Sequence, residues 1–478
     1  MAYITNDWGQ RVNNRNFDAA RYRRPRGRGL REKAFRRVVT VLMTAALVTA
    51  AALTAAVAEA APTFPHTFPP NQNQLPQLPR EPDIYRALPI PTPDEDPWYR
   101  DPPNISAYEL GQVVRTRTVQ TRVLGIPFPV HTKQLLYRSE DAHGEPIVTA
   151  TSVIVPGIPW QGSPRPVVSF QEAIDSTNSS CNPSHTLQTG TFKEAALATS
   201  WLAQGFAVNI PDFDGKFNTF STWDEGKMVL DSLRAVKNDK TLGLRDSAFA
   251  LYGYSGGGSG SIRAAGLRRT YAPDVKIVGT AMGGAPADLV AQARYATGPQ
   301  PGVTGISNFT MWLGFAALSR EYPKIFDADA LLTPAGRAIV ADLGDRCVYT
   351  AAMTGMWRPI RDYFQPGKTL EKAPGVMPLL KELSLDKHIP DTPVLWFHGI
   401  WDELIPPSTV VLPVVRKYWA AGADLRFATV PLPEHVANAA AGWVPAQAWI
   451  SAVLRGESPG PRFKLDYPAP LPQGFPGR

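Results

Sequence analysis

The chain of 478 residues contains only two cysteines, Cys181 and Cys347, and seven scattered histidines. None falls in a C-x-x-C or H-E-x-x-H spacing, so no structural zinc site, and no other metal or cofactor, is expected. Beyond its first sixty residues the chain also lacks any excess of charge of one sign. Eleven Lys and Arg against four acids in residues 1–60 carry the whole formal charge of +7, and the remainder is balanced. Nucleic acid is thereby excluded as a partner, because that recognition needs a basic surface on the folded body. Long apolar runs are missing except for Val38 to Val57, and no internal repeat is present at any period.

That run follows the arginine-rich flank and precedes Ala58-Glu59-Ala60, a small-residue site before Ala61-Pro62. Positive flank, apolar run and small residues together read as a secretory signal over residues 1–60. Because the run approaches spanning length, an uncleaved membrane anchor through residues 38–57 is the alternative. Arg36-Arg37 just before it has the form of a twin-arginine signal, with little further support from Val38-Val39-Thr40. In an exported chain an even pair of cysteines reads as bridged. Closing so long a loop stabilises by at most about 5 kcal/mol on chain-entropy reasoning.

Thirteen prolines between Ala61 and Pro103 predict an extended linker or arm without regular structure over residues 61–104, its far end docked through Trp98 and Tyr99. From Ile105 the pattern changes. Val113–Arg122, His131–Arg138 and Pro146–Val155 read as consecutive antiparallel strands. Strands and helices then alternate: Pro166–Gln171, a helix over Phe192–Gln204, Phe206–Ile210, a helix over Thr222–Lys237, Ala248–Tyr252 with its helix, and Val275–Ala281. The alternation stops after Gly284 and returns near Asp391 with Pro393–Phe397, a helix over Thr409–Ala421, Asp424–Val430 and a helix over Ala446–Arg455. This predicts an α/β-hydrolase fold: a mostly parallel central sheet with helices on both faces. Its core comprises residues 105–284 and 391–456, interrupted by a helical cap insertion over 285–390 and followed by a Pro/Gly-rich tail over 457–478. The insertion shows helical apolar spacing around Ile306–Leu318 and Ala328–Leu343. Its large apolar groups, Phe309, Met311, Trp312, Leu313 and Phe315, either build the cap's own core or line an acyl pocket beneath it.

The chemistry centres on Gly253-Tyr254-Ser255-Gly256-Gly257, which fits G-x-S-x-G between an apolar strand and a helix. Such an elbow exposes a serine hydroxyl at the sheet's edge and aims helix N-terminal N–H groups at a developing anion. A second copy, Gly456-Glu457-Ser458-Pro459-Gly460, has no strand before it. Its Pro459 also removes the N–H that should follow the nucleophile, so it reads as a turn. A serine needs a base, and the base an orienting acid; in this fold they follow in the order Ser, acid, His. Asp402 lies just past a late strand, and His435 is the sole histidine downstream of it. Glu403 is the fallback acid, Glu403 and Glu434 are expected as surface neighbours, and His398 as a buried structural group. Gly256 supplies one oxyanion donor through its backbone. The second is expected from the loop after Gln171, which lacks a His-Gly-Gly-Gly.

Asp96-Pro97-Trp98-Tyr99, Ser169-Phe170-Gln171-Glu172-Ala173-Ile174-Asp175 with Cys181, the elbow, Gly283-Gly284-Ala285-Pro286, Asp402 before Glu403-Leu404-Ile405-Pro406, and His435 together resemble the secretory lipase family, of the fungal lipase A type with actinobacterial members. The resemblance covers Asp96 to Arg455. It implies extracellular hydrolysis of acylglycerols and other carboxylic esters by Ser255, His435 and Asp402 under a helical cap. It also implies Asp175 and Gly256 as the oxyanion pair, and a disulfide from Cys181 with Cys347 as partner. Phe170 departs from the tyrosine common in members, which removes a local hydrogen bond. The expected partners are a small ester or lipid substrate and a lipid interface met through the cap, with the chain a monomer. The rival readings are a short-chain esterase or acyltransferase on the same three residues, and an inactive cell-envelope binding protein.

Overall fold

The computed structural model describes residue 75 and residues 79–462, apart from residues 163, 216, 217, 219, 220 and 299–307. All lie in the larger of two compact units, Pro62–Arg478. The signal or anchor expected over residues 1–60, most of the first part of the arm and the tail beyond residue 462 are outside the described residues. Among the described residues no helix is long and apolar enough to cross a membrane.

The strands are β1 (Val113–Val119), β2 (Arg122–Val123), β3 (Ile126–Pro127), β4 (His131–Glu140), β5 (Pro146–Val155), β6 (Val167–Gln171), β7 (Ala207–Pro211), β8 (Phe249–Tyr254), β9 (Ile277–Gly283), β10 (Val394–Trp401) and β11 (Leu425–Pro433). Nine of them form one sheet in the order β1-β4-β5-β7-β6-β8-β9-β10-β11. The pairs β1–β4, β4–β5 and β5–β7 are antiparallel, and every pair from β7 to β11 is parallel. The small β2–β3 hairpin interrupts what the sequence reads as one strand ending at Arg122.

β6, β7 and β8 are buried along their whole length, so apolar residues dominate them, and the buried polar Asn209 of β7 donates to Ser169 of β6. Their side chains alternate between two layers. Phe249 and Leu251 of β8 pack with Met228, Leu233 and Ala264 of the helices Asp224–Asn238 and Gly256–Tyr271. Ala250, Tyr252 and Tyr254 pack on the other side with Trp201 and Ile450, from the helices Ala195–Ala203 and His435–Leu454. Phe170 belongs to this second layer, buried against Phe192, Trp201 and Tyr252.

Other elements also differ from the sequence reading. The arm contains a helix, Glu81–Arg86, with Pro82 in its first turn, where a missing N–H costs no hydrogen bond. The expected docking of Trp98 holds: the Arg117 guanidinium lies 4.0 Å from the centre of its ring. The apolar stretch 328–343 is two helices, Ala328–Leu331 and Pro334–Leu343. Pro334 lacks the N–H that would extend the first helix and suits the first turn of the second, which Thr333 caps by accepting the Gly336 N–H. The last helix begins at His435 rather than Ala446 and runs twenty residues through Pro445. Residues 285–390 add the helices Leu289–Thr297, Asn308–Glu321, Val348–Gly355 and Val376–Leu383, which share a core around Trp312, Leu313, Leu343 and Val376.

Candidate active site

β6, β8, β10 and β11 run parallel, so the segments that follow them gather at one edge of the sheet. Those segments begin with or carry Asp175, Ser255, Asp402 and His435.

Ser255 adopts φ 54° and ψ −119° between β8 and the helix that starts at Gly256. This is backbone territory costly for a residue with a side chain, held here because the neighbours leave no alternative. A Cβ at Gly253 would strike the carbonyl of Gly257, and one at Gly257 the carbonyl of Gln171. The Ser255 N–H donates to the Gly283 carbonyl at 2.9 Å, pinning the turn to β9.

His435 Nε2 lies 2.9 Å from Ser255 Oγ, and its Nδ1 lies 2.7 Å from Asp402 Oδ2. The other carboxylate oxygen, Oδ1, accepts from the backbone N–H of Leu404 at 3.1 Å and of Ile405 at 2.8 Å. Acid and imidazole are both almost fully buried. Burial would raise the Asp402 pKa, but the charge and hydrogen bond of His435 outweigh it and hold the carboxyl below its ordinary range. Burial would likewise lower the His435 pKa; the Asp402 charge and hydrogen bond, with Glu403 and Glu434, raise it above the ordinary value.

His398 is fully buried, as expected, with Nε2 3.0 Å from the Ile405 carbonyl and 3.5 Å from Asp402 Oδ2. Glu403 is not the surface neighbour the sequence suggested. It is half-buried, and its Oε2 accepts the His435 backbone N–H at 2.8 Å. Glu434 is exposed and caps the last helix through the N–H groups of Val436 and Ala437. Tyr254 carried no signal in the sequence, standing at the variable position of the elbow pattern. Its hydroxyl donates to the His435 carbonyl at 2.7 Å, so both main-chain groups of the histidine are held.

Asp175 has φ 47°, tolerable for aspartate. Its carboxyl overhangs Gly256, where an added Cβ would come within 2.9 Å of Asp175 Oδ1. Burial raises its pKa against the opposing charges of Lys193 and His435. Its loop is held from two sides. Lys193 Nζ reaches Glu172 at 3.2 Å and donates to the Ile174 carbonyl at 3.4 Å, while Glu194 accepts the Ala173 N–H at 3.2 Å. Opposite, Ser176 Oγ donates to the Arg346 carbonyl, and Cys181 is disulfide-bonded to Cys347.

Ser255, Gly256 and Asp175 line a pocket walled mostly by side chains from residues 285–390. Met311, Leu313 and Phe315 line it, whereas Trp312 turns into the core of the insertion. The second G-x-S-x-G copy follows the last helix, with Gly456 and Gly460 both at positive φ, and takes no part in the site.

Comparison with known proteins points to one family. The sequence model of the secretory lipases covers residues 180–461. A protein of Mycobacterium tuberculosis described as a probable inactive lipase is 32% identical, over 72% of this chain and 78% of its own. Lipase 1 of Candida albicans is 29% identical, over 77% of this chain and 82% of its own. The crystal structure of Candida antarctica lipase A in its closed state superposes with a TM-score of 0.70 at 26% identity, covering 82% of this chain and 92% of that one. The chain belongs to the secretory lipase family, on an α/β-hydrolase fold, and is a lipase-like carboxylic ester hydrolase.

Proposed function

We propose that the protein is a secreted serine lipase or carboxylesterase that cleaves acylglycerols and other carboxylic esters through an acyl-enzyme. One observation carries the reading: a single imidazole, His435, bonded at once to Ser255 and Asp402 beside a largely apolar pocket. With Asp402 accepting a hydrogen bond from Nδ1–H, the Nε2 lone pair faces the Ser255 hydroxyl. His435 takes that proton as Oγ attacks the ester carbonyl, and Asp402 stabilises the imidazolium. The Gly256 N–H and Asp175, through its backbone or protonated side chain, hold the oxyanion. His435 then passes the proton to the departing alcohol. Water, activated in the same way, releases the carboxylic acid and restores Ser255.

The pocket supports an acyl chain of some length, since Met311, Leu313, Phe315, Leu318, Phe326 and Leu370 all line it. On this reading residues 105–284 and 391–456 are the hydrolase core and 285–390 the cap. Tyr349 and Met353, exposed one turn apart on the helix Val348–Gly355, suit contact of that cap with a lipid surface. The arm over 61–104 and the tail over 457–478 flank this monomeric body. The leader over residues 1–60 and the family's secretory character support export, with a membrane anchor as the other form the leader allows.

A retired hydrolase that only binds ligand is the second reading, favoured by the description of the mycobacterial relative. A binding module has no use for the Ser255–His435–Asp402 contacts. Hydrolysis rates on a butyrate ester and on a long-chain triglyceride emulsion test the proposal. Turnover favouring the long chain supports a lipase, and the reverse order a short-chain esterase. Turnover of neither, by folded protein, supports the binding module.

A further inference from the structure

The loop over residues 402–405 offers three consecutive carbonyls, and each accepts a hydrogen bond from a side chain outside it. The Tyr295 hydroxyl donates to the Glu403 carbonyl at 2.7 Å, Gln292 Nε2 to the Leu404 carbonyl at 2.9 Å, and His398 Nε2 to the Ile405 carbonyl at 3.0 Å. His398 stands on β10, the strand that leads into the loop. Tyr295 and Gln292 come instead from the insertion, on the helix Leu289–Thr297. That helix is fixed at its start, where Asp288 accepts the Ala291 N–H and Ser384 Oγ the Leu289 N–H, both at 3.0 Å. Its residues Leu289, Ala293 and Ala296 line the pocket. Burial and the nearby charges of Glu403 and Asp402 raise the Tyr295 pKa, so the phenol keeps its proton and stays a donor.

A peptide unit is planar, so its carbonyl and the N–H of the next residue point in opposite directions and turn together. The unit whose oxygen Tyr295 holds carries the Leu404 N–H, which reaches Asp402 Oδ1 at 3.1 Å. The unit whose oxygen Gln292 holds carries the Ile405 N–H, which reaches the same Oδ1 at 2.8 Å. Each grip also polarises its peptide, which strengthens the N–H as a donor. With Oδ1 held by two N–H groups, Oδ2 stays turned to His435 Nδ1 at 2.7 Å. We propose that Tyr295 and Gln292 are positioning residues for ester hydrolysis: from the wall of the pocket they hold the two peptide planes that orient Asp402. The helix Leu289–Thr297 thereby does two jobs, lining the pocket with one set of residues and holding the acid's loop with another. The inference rests on the ester-hydrolase reading above.

The test measures steady-state kinetics on a soluble butyrate ester for the full chain, Tyr295→Phe, Gln292→Met and the two combined. Each is made again in an Asp402→Asn background. Tyr295→Phe removes only a hydroxyl and keeps the ring, so its fold is retained. Each single change should lower kcat by about fivefold, the ordinary yield of one neutral hydrogen bond, with KM within about twofold of the parent. In the Asp402→Asn background the same changes should cost less than about twofold, because their effect passes through the carboxylate. Unchanged kcat in both single variants overturns the inference. So does a loss equally large with and without the Asp402 carboxylate, which marks a general effect on the fold, or a rise in KM alone. Failure of the folded parent to cleave either this ester or a long-chain triglyceride marks failure of the hydrolase reading itself.

Discussion

Glu403 Oε2 accepts the backbone N–H of His435 at 2.8 Å, while the adjacent Asp402 takes that residue's imidazole at 2.7 Å. Two consecutive carboxylates thus divide the work on one histidine, one holding its main chain and the other its ring. Asp402→Asn should lower kcat by about 10⁴, since an amide favours the wrong tautomer. Glu403→Gln, which can still accept the N–H, should cost about tenfold or less. Steady-state kinetics on the two variants check this; a larger loss in Glu403→Gln would reverse the assignment of the acid.

Ser255→Ala should abolish ester turnover while leaving thermal stability within about 1 kcal/mol of the parent, because only a half-exposed hydroxyl is lost from the turn. Parallel activity assays and thermal melts measure both. Turnover near the parental rate means that another nucleophile is at work.

Lys193 holds the loop that carries Asp175, the proposed oxyanion residue, through Glu172 and the Ile174 carbonyl. Lys193→Met should lower kcat by about tenfold with little change in KM, less than the hundred- to thousandfold expected for losing an oxyanion donor outright. Lys193→Arg should recover most of the rate. A rise in KM with kcat unchanged would mean that the lysine serves substrate binding instead.

Activity and stability should move in opposite directions with pH. His435 must be neutral to act as base and its pKa is raised, so kcat/KM should fall on acidification through a point above the ordinary histidine value. Burial, meanwhile, pushes several carboxyls up: Glu194 and Glu225 to about 8, Asp212 and Asp224 to about 7, Asp231 to about 6. Between about pH 5 and pH 8 these hold protons in the fold that the unfolded chain has released, so stability declines as pH rises. His185, His388 and His398, lowered by burial, oppose this below the ordinary histidine pKa, and are fewer. The lowered carboxyls Asp239, Asp274, Asp386 and Asp402 lose their contribution only at more acid pH. Tm should be higher at about pH 5 than at about pH 8; a Tm that climbs across the interval contradicts the assignment.

The Cys181–Cys347 disulfide closes a loop of sequence separation 166 and joins the segment after β6 to residues 285–390. Cys347→Ser, or reduction, should destabilise by several kcal/mol, with about 5 as the ceiling. Chemical denaturation of the oxidised and reduced chain measures this, and superimposable curves would deny the bridge a structural role.

The central sheet and the elbow were legible in the sequence for a backbone reason. Buried parallel strands are predominantly apolar, and the close approaches at Gly253 and Gly257 admit no side chain. Asp402 follows from its place just past a late strand, and His435 from being the sole histidine after it. The last helix was harder to see: its first half is alanine-rich and Pro445 breaks the pattern, so only its second half showed a helical signal. Nor could the apolar residues of the insertion be sorted, because consecutive helix positions face different ways. Met311 and Leu313 reach the pocket and Trp312 does not. The grips of Tyr254 and Glu403 on His435 depend on tertiary geometry that local pattern does not encode.

Covalent labelling with a fluorophosphonate, followed by mass mapping of the modified peptide, interrogates the Ser255–His435–Asp402 arrangement most directly. One adduct on the peptide that contains Ser255 is expected, absent from Ser255→Ala and formed far more slowly by His435→Ala. A folded chain left unmodified at Ser255, or modified there equally fast without the imidazole, would contradict it.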